Sequence, residues 1–169
     1  MHPEALLDRL ERFPAALCAV VGVVTPPDHL YRASAPDWSI LEIVCHLAEE
    51  EKRDFPPRLR STLEDPEREW PPIDPEGWAI EGAYRERDLA TELVAFESRR
   101  AVSVAEIRAW PSPNWDHLKQ HPKHPIRAGD LLASWCDHDA LHLRQIARRL
   151  HELAQRDAEP YETRYAGDW

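Results

Sequence analysis

Between Gly129 and Leu153, the side chains Leu131, Leu132, Trp135, His138, Leu141, His142, Gln145, Ile146, Leu150 and Leu153 recur at helical steps of three and four. Residues so spaced share one face of an α-helix. A helix this long with an apolar stripe has to bury that stripe against other helices. The chain has 16 prolines against 5 glycines in 169 residues, and its segments between prolines are rich in Leu, Ala, Glu and Arg, which favours helices joined by stiff loops. A single domain over residues 1–169 is expected.

Three further helical regions can be read. Over residues 3–24, Leu6, Leu7, Leu10, Phe13, Leu17 and Val20 or Val21 follow the same period. Pro14 is expected to divide that region at the first turn of a second piece. The valines around Gly22 would also suit a strand. "WSILE" then gives a defined start: Ser39 as N-cap, Glu42 as the third residue of a capping box, and Trp38 with Ile43 as a hydrophobic staple. In that register Ile40, Ile43, Val44 and Leu47 form the stripe and His46 lies on its edge beside Ile43 and Glu50, until Pro56 and Pro57 kink or stop the helix. The third of these regions spans about Asp88 to Trp110, with Leu89, Leu93, Phe96, Val104 and Ile107 inward and Arg100 near the same stripe, read as a stem on the core with its head in solvent. The proline-rich, acidic segment from Asp65 to Arg87 reads as a crossover pinned by Trp70, Trp78 and Tyr84. Four helical regions with one long connection predict an all-α four-helix bundle, with the aromatic tail "EPYETRYAGDW" folding back or meeting a second subunit.

The formal net charge of −10 argues against nucleic acid or anionic membrane as partner. Arg148 and Arg149 read as complements to the negative end of the last helix. Cys18, Cys45 and Cys136 form no CxxC pair, so they read as small core residues in a reducing compartment. "AALCAVVGVV" follows Pro14 and upstream acids and has no cleavage site after it, so it does not resemble a secretion signal, and a cytoplasmic protein is expected.

The chemistry concentrates in "HDALH". Four residues apart on a helix, His138 and His142 aim at one point. The spacing alone says little in a chain with nine histidines, and His117 and His121 repeat it. A buried imidazole is costly unless it is hydrogen-bonded or bound to a metal, and His46 belongs to a capped helix with a defined inward face. Two readings follow: a three-histidine site of His46, His138 and His142 with open positions for zinc, nickel or ferrous iron, or three hydrogen-bonded core histidines. His117, His121 and His124 sit in a segment broken by Pro122 and Pro125 and cannot form one helical comb. The HExxH protease pattern is disfavoured because Asp139 is one methylene shorter than the required base. Asp139 then reads as a surface acid or one lying behind the ligands. Glu50, one turn beyond His46, is the candidate acid or base, and Gln145, one turn after His142, the candidate orienting group.

"WSILEIVCHLAEEE" followed by "HPIRAGDLLASWCDHDALHLRQIARRL" resembles the DinB-like superfamily (DinB/YfiT), which carries a tryptophan and small polar residue before a helix with one His, then HxxxH with a trailing Gln-Ile. The resemblance implies an up-down-down-up bundle with a long crossover between the second and third helices, and His46, His138 and His142 as metal ligands. It also implies a homodimer, and a metal-dependent thiol transferase or hydrolase acting on a small-molecule substrate, the transferases using a low-molecular-weight thiol such as bacillithiol or mycothiol. The alternative is a non-catalytic metal-binding stress-response or interaction protein. Pro56 and Pro57 depart from the long second helix of the family.

Overall fold

The computed structural model describes residues 1–169 and is almost entirely helical. In chain order the helices are α1 (Pro3–Val21), α2 (Ile40–Arg53), α3 (Phe55–Glu64), α4 (Pro75–Glu81), α5 (Leu89–Arg108) and α6 (Ala128–Ala158), with a hairpin of β1 (Leu118–Lys119) and β2 (Ile126–Arg127) before α6. The bundle consists of α1, α2, α5 and α6. Both α1 and α2 pack against α5 and α6, while α3 extends α2 along α6. No helix is long and apolar enough to cross a membrane.

The capping box of α2 forms as the sequence predicts: the Glu42 amide donates to Ser39 Oγ, and the Ser39 amide donates to Glu42 Oε2. Glu42 does more than cap. It is buried and receives Arg32 and Arg85, tying the loop before α2 and the crossover to the start of the helix. The crossover from Asp65 to Asp88 contains α4, and Trp78 packs against the cluster of Leu41, Cys45 and Tyr84, so an aromatic does pin it. Pro56 and Pro57 do not merely end α2. The helix stops at Arg53, and the prolines lie in the first turn of α3, where a missing N–H costs nothing.

Two apolar clusters fill the bundle. One holds Leu7, Leu10, Val104, Leu132 and Trp135, and the other Leu17, Ile43, Leu47, Phe96 and Ile146. Burying each such side chain contributes about 1.5–3 kcal/mol. On α2, α5 and α6 the buried residues between these clusters include a polar layer of Glu50, Glu51, Arg100, Asp139 and His142. At its centre is Arg100, only 1% exposed, which corrects the expectation of a solvated head group. Its guanidinium donates to Glu51 on α2, to both carboxylate oxygens of Asp139 on α6, and to the Leu10 carbonyl on α1.

That last bond explains a second correction. α1 runs unbroken through Pro14, which was expected to divide it. Proline lacks the N–H that would bond the carbonyl four residues back, and in α1 that carbonyl belongs to Leu10. Arg100 Nη1 donates to it at 3.0 Å, so the helix continues without an orphaned acceptor.

Other expectations also change. Cys45 alone is buried, Cys136 is half-buried and Cys18 exposed. The valines near Gly22 end α1 and form no strand. The tail folds back in part: Trp169 lies edge-on to His151, with ring centres 4.8 Å apart, while Tyr161 and Tyr165 are exposed. α6 continues to Ala158, so Arg148 and Arg149 lie well inside the helix rather than at its negative end.

Candidate metal centre

The polar layer also carries the histidines. His46 projects from α2, and His138 and His142 from successive turns of α6. One potential ligand atom from each lies within 4.8 Å of the other two. His138 Nε2 and His142 Nε2 are 3.0 Å apart, and the His46 ring centre is 4.6 Å from that of His142. Trp38 flanks His46 at 4.8 Å and Phe55 flanks His138 at 4.9 Å. Phe55 holds its place because the chain breaks at Asp54 and restarts as α3, so the two prolines shape one wall of the site.

The rings are neutral by environment. Burial lowers the His46 pKa to about 2 and that of His138 to about 3, and it lowers that of His142 as well; the other two imidazoles add to the effect at His46, and His142 and Arg100 add to it at His138. A neutral imidazole keeps the lone pair a metal needs. His142 Nδ1 lies 2.9 Å from Gln145 Oε1. An amide oxygen can only accept, so Nδ1 carries the hydrogen and Nε2 presents its lone pair to the other rings. His46 Nδ1 is buried without a hydrogen-bond partner. His138 and His142 can share one hydrogen bond between their Nε2 atoms in the metal-free protein, but His46 Nδ1 is left without a partner, and three imidazoles so crowded fit a divalent cation better than a fully hydrogen-bonded core.

The site opens on one side into a cavity of 770 Å³ lined by, among others, Trp38, Glu50, Asp54, Phe55, Gln145 and Arg148. Glu50 Oε1 is 3.8 Å from His46 Nδ1. Burial, reinforced by Asp54, pushes the Glu50 carboxyl up to about 9, so it holds a proton at neutral pH. Asp139 is not a surface acid: it is buried and bonds Arg100 rather than a histidine. His117 Nδ1 faces the Thr62 and Leu63 carbonyls, His121 lies near Trp70 and His124 near His121, and none of the three belongs to the three-histidine group. Sequence reasoning missed Phe55, Asp54 and the two arginines of α6 as cavity residues. The signal for the arginines was the absence of a helix stop before Pro160.

These shifts set a pH dependence for the metal-free protein. The folded pKa values of the histidines lie below the ordinary 6.5, so their contribution is present above pH 6.5 and is lost as pH falls toward the folded values. Glu50 acts oppositely. Its folded pKa of about 9 exceeds the ordinary 4.5, so its contribution is present below pH 4.5 and lost as pH rises toward 9. Between about pH 6.5 and about pH 5 three histidines outweigh one carboxyl, and the thermal midpoint is expected to drop. The drop should steepen in Glu50→Gln and flatten in His46→Gln; a midpoint that does not move across that interval would contradict neutral, buried rings.

Comparisons with known proteins bear on the family and the fold. The sequence pattern of the DinB superfamily matches residues 9–146. The fold is similar to that of YfiT from Bacillus subtilis, described as "a probable metal-dependent hydrolase with an unusual four-helix bundle topology", with a TM-score of 0.80 and 19% identity over 90% of this chain and 87% of that one. No curated protein matches the sequence.

Proposed function

The chain belongs to the DinB superfamily, and from that premise we propose that His46, His138 and His142 hold a divalent transition-metal ion, zinc, nickel or iron, in a metal-dependent enzyme of the hydrolase or thiol-transferase type. One observation carries this reading: three neutral imidazoles from two helices converge within 4.8 Å at the head of an open cavity. A structural zinc site is normally closed by four protein ligands, whereas three histidines beside a cavity leave room for a guest. That favours chemistry over the alternative of a non-catalytic metal-binding stress or interaction protein.

A bound divalent ion supplies Lewis acidity, lowering the pKa of a water or thiol nucleophile and polarising an electrophile. The chain's own groups do the rest. Gln145 fixes the tautomer and orientation of His142. Trp38 and Phe55 wall the imidazoles and limit water around them. Glu50, facing the cavity beside His46, is placed to pass a proton between the nucleophile and a leaving group.

The test is turnover of a panel of esters, amides and thiol–electrophile pairs by protein reconstituted with zinc, nickel or ferrous iron, beside His142→Ala treated alike. The expected result is turnover of at least one class by the loaded protein, reduced by about 100-fold or more in the variant, since even an outer-shell change costs ~10–100-fold. Equal rates for the two proteins across the panel would remove the histidines from any chemistry.

A further inference from the structure

Gln145 and Arg148 line two cavities at once. One is the 770 Å³ space before the histidines. The other, of 720 Å³, continues along the outer face of α6 past Arg144, His151, Gln155 and Trp169. Joined, they make a groove that follows the helix. At a rise of 1.5 Å per residue, Arg148 stands about 9 Å along the axis from His142, and His151 about 13 Å.

Charge is unevenly placed along this groove. On the crossover side of the first cavity lie Asp74 and Glu76, while Asp37 and Asp54 are already paired with Arg149 and Arg58. The second cavity has a single acid, Glu152, which receives Arg149 Nη2 at 3.0 Å and Arg148 Nε at 3.1 Å. Because buried Arg149 shares Glu152, Arg148 commits only its Nε. Its two Nη groups have no protein partner, and the Arg144 guanidinium has none at all. In a chain of net charge −10, two exposed guanidinium groups with uncommitted donors, Arg148 lining both cavities and Arg144 the second, are the feature that calls for a ligand. The planar fork of donors on each guanidinium matches a carboxylate or phosphate.

We propose that the α6 groove is the distal half of the substrate site and receives an anionic group, carboxylate or phosphate, displaced about 9 Å along the helix axis from the histidines. The distance rests on the histidines being the reactive end; the anion site itself needs no metal. A substrate of this class is elongated, lies along α6 past Gln145, and keeps its negative end away from Asp74 and Glu76.

The full-length protein, metal-free, is titrated with adipate, with uncharged 1,6-hexanediol and with inorganic phosphate, followed by amide and side-chain NMR signals of Arg144, Arg148 and His151. Adipate is expected to give saturable shifts there and hexanediol none. The double variant Arg144→Gln, Arg148→Gln, changed only at exposed positions and checked for an unaltered thermal midpoint, should lose at least tenfold in adipate affinity. Phosphate binding more tightly than adipate would assign the anion as phosphate, and weaker binding would assign it as carboxylate. Equal responses to adipate and hexanediol, or adipate affinity unchanged in the double variant, would overturn the proposal. A separate arm isolates the metal reading. Cobalt-loaded protein should bind 6-mercaptohexanoate at least tenfold more tightly than 6-mercaptohexanol, read from the thiolate-to-cobalt absorption. Adipate binding without that preference would keep the anion site and overturn its distance from the histidines.

Discussion

Arg100→Ala should lower the free energy of unfolding by about 3–5 kcal/mol, the cost of removing one partner from a buried ionic cluster. The side chain is 1% exposed and meets all four bundle helices: its own α5, Glu51 of α2, Asp139 of α6 and the Leu10 carbonyl of α1. Without it two carboxylates, whose pKa values burial already raises, lose their counter-charge. The Leu10 carbonyl, deprived of its helical partner by Pro14, becomes an orphaned acceptor. Phe96 and Trp135 also lose a cation stacked 4.7 and 5.0 Å from their ring centres. Denaturant unfolding followed by circular dichroism measures the effect. A loss below about 1 kcal/mol, the worth of an exposed pair, would show that the cluster does not hold the helices together. Glu51 lies five residues after His46 and Asp139 directly after His138, so the same cluster sets how α2 and α6 present their imidazoles to each other.

The second large effect is on metal content. Wild-type protein equilibrated with zinc, nickel or ferrous iron and then dialysed should retain about one ion per chain. His46→Ala, His138→Ala and His142→Ala should each weaken binding by more than about 100-fold, beyond what loss of an orienting partner costs. His121→Ala, remote from the group, is the control and should leave affinity unchanged. Elemental analysis together with chelator competition gives both stoichiometry and affinity. Equal metal content in wild type and His142→Ala would return these residues to the role of core histidines. The rings reach neutrality by burial, so loading should require no proton release from them at neutral pH.

Much of this molecule is legible in one dimension because its information is local. A period of three to four fixes which face of α6 is buried, and with it the inward aim of His138 and His142. The capping box sets the start of α2 and hence the register of His46. These are short-range effects, decided within a few turns of chain, and they carry the all-helical class and the pairing of two histidines on one helix.

What lay beyond the sequence depended on partners distant along the chain. Arg100 read as a stem on the core with a solvated head because nothing near it in sequence shows that Glu51, Asp139 and a proline-freed carbonyl converge on that head. Arg148 and Arg149 read as helix-end charges; the lack of a helix stop before Pro160 carries α6 past them, but only the packing of α2 and the crossover beside α6 makes the cavity they line. The convergence of His46 with the other two histidines is likewise tertiary. The periodicity of α2 and α6 determined that each offers imidazoles to the core, but only the packing of the two helices, aligned by the polar layer between two apolar clusters, brings those rings together. Hydrophobic period is a property of a segment, whereas the distance between two segments depends on everything packed between them.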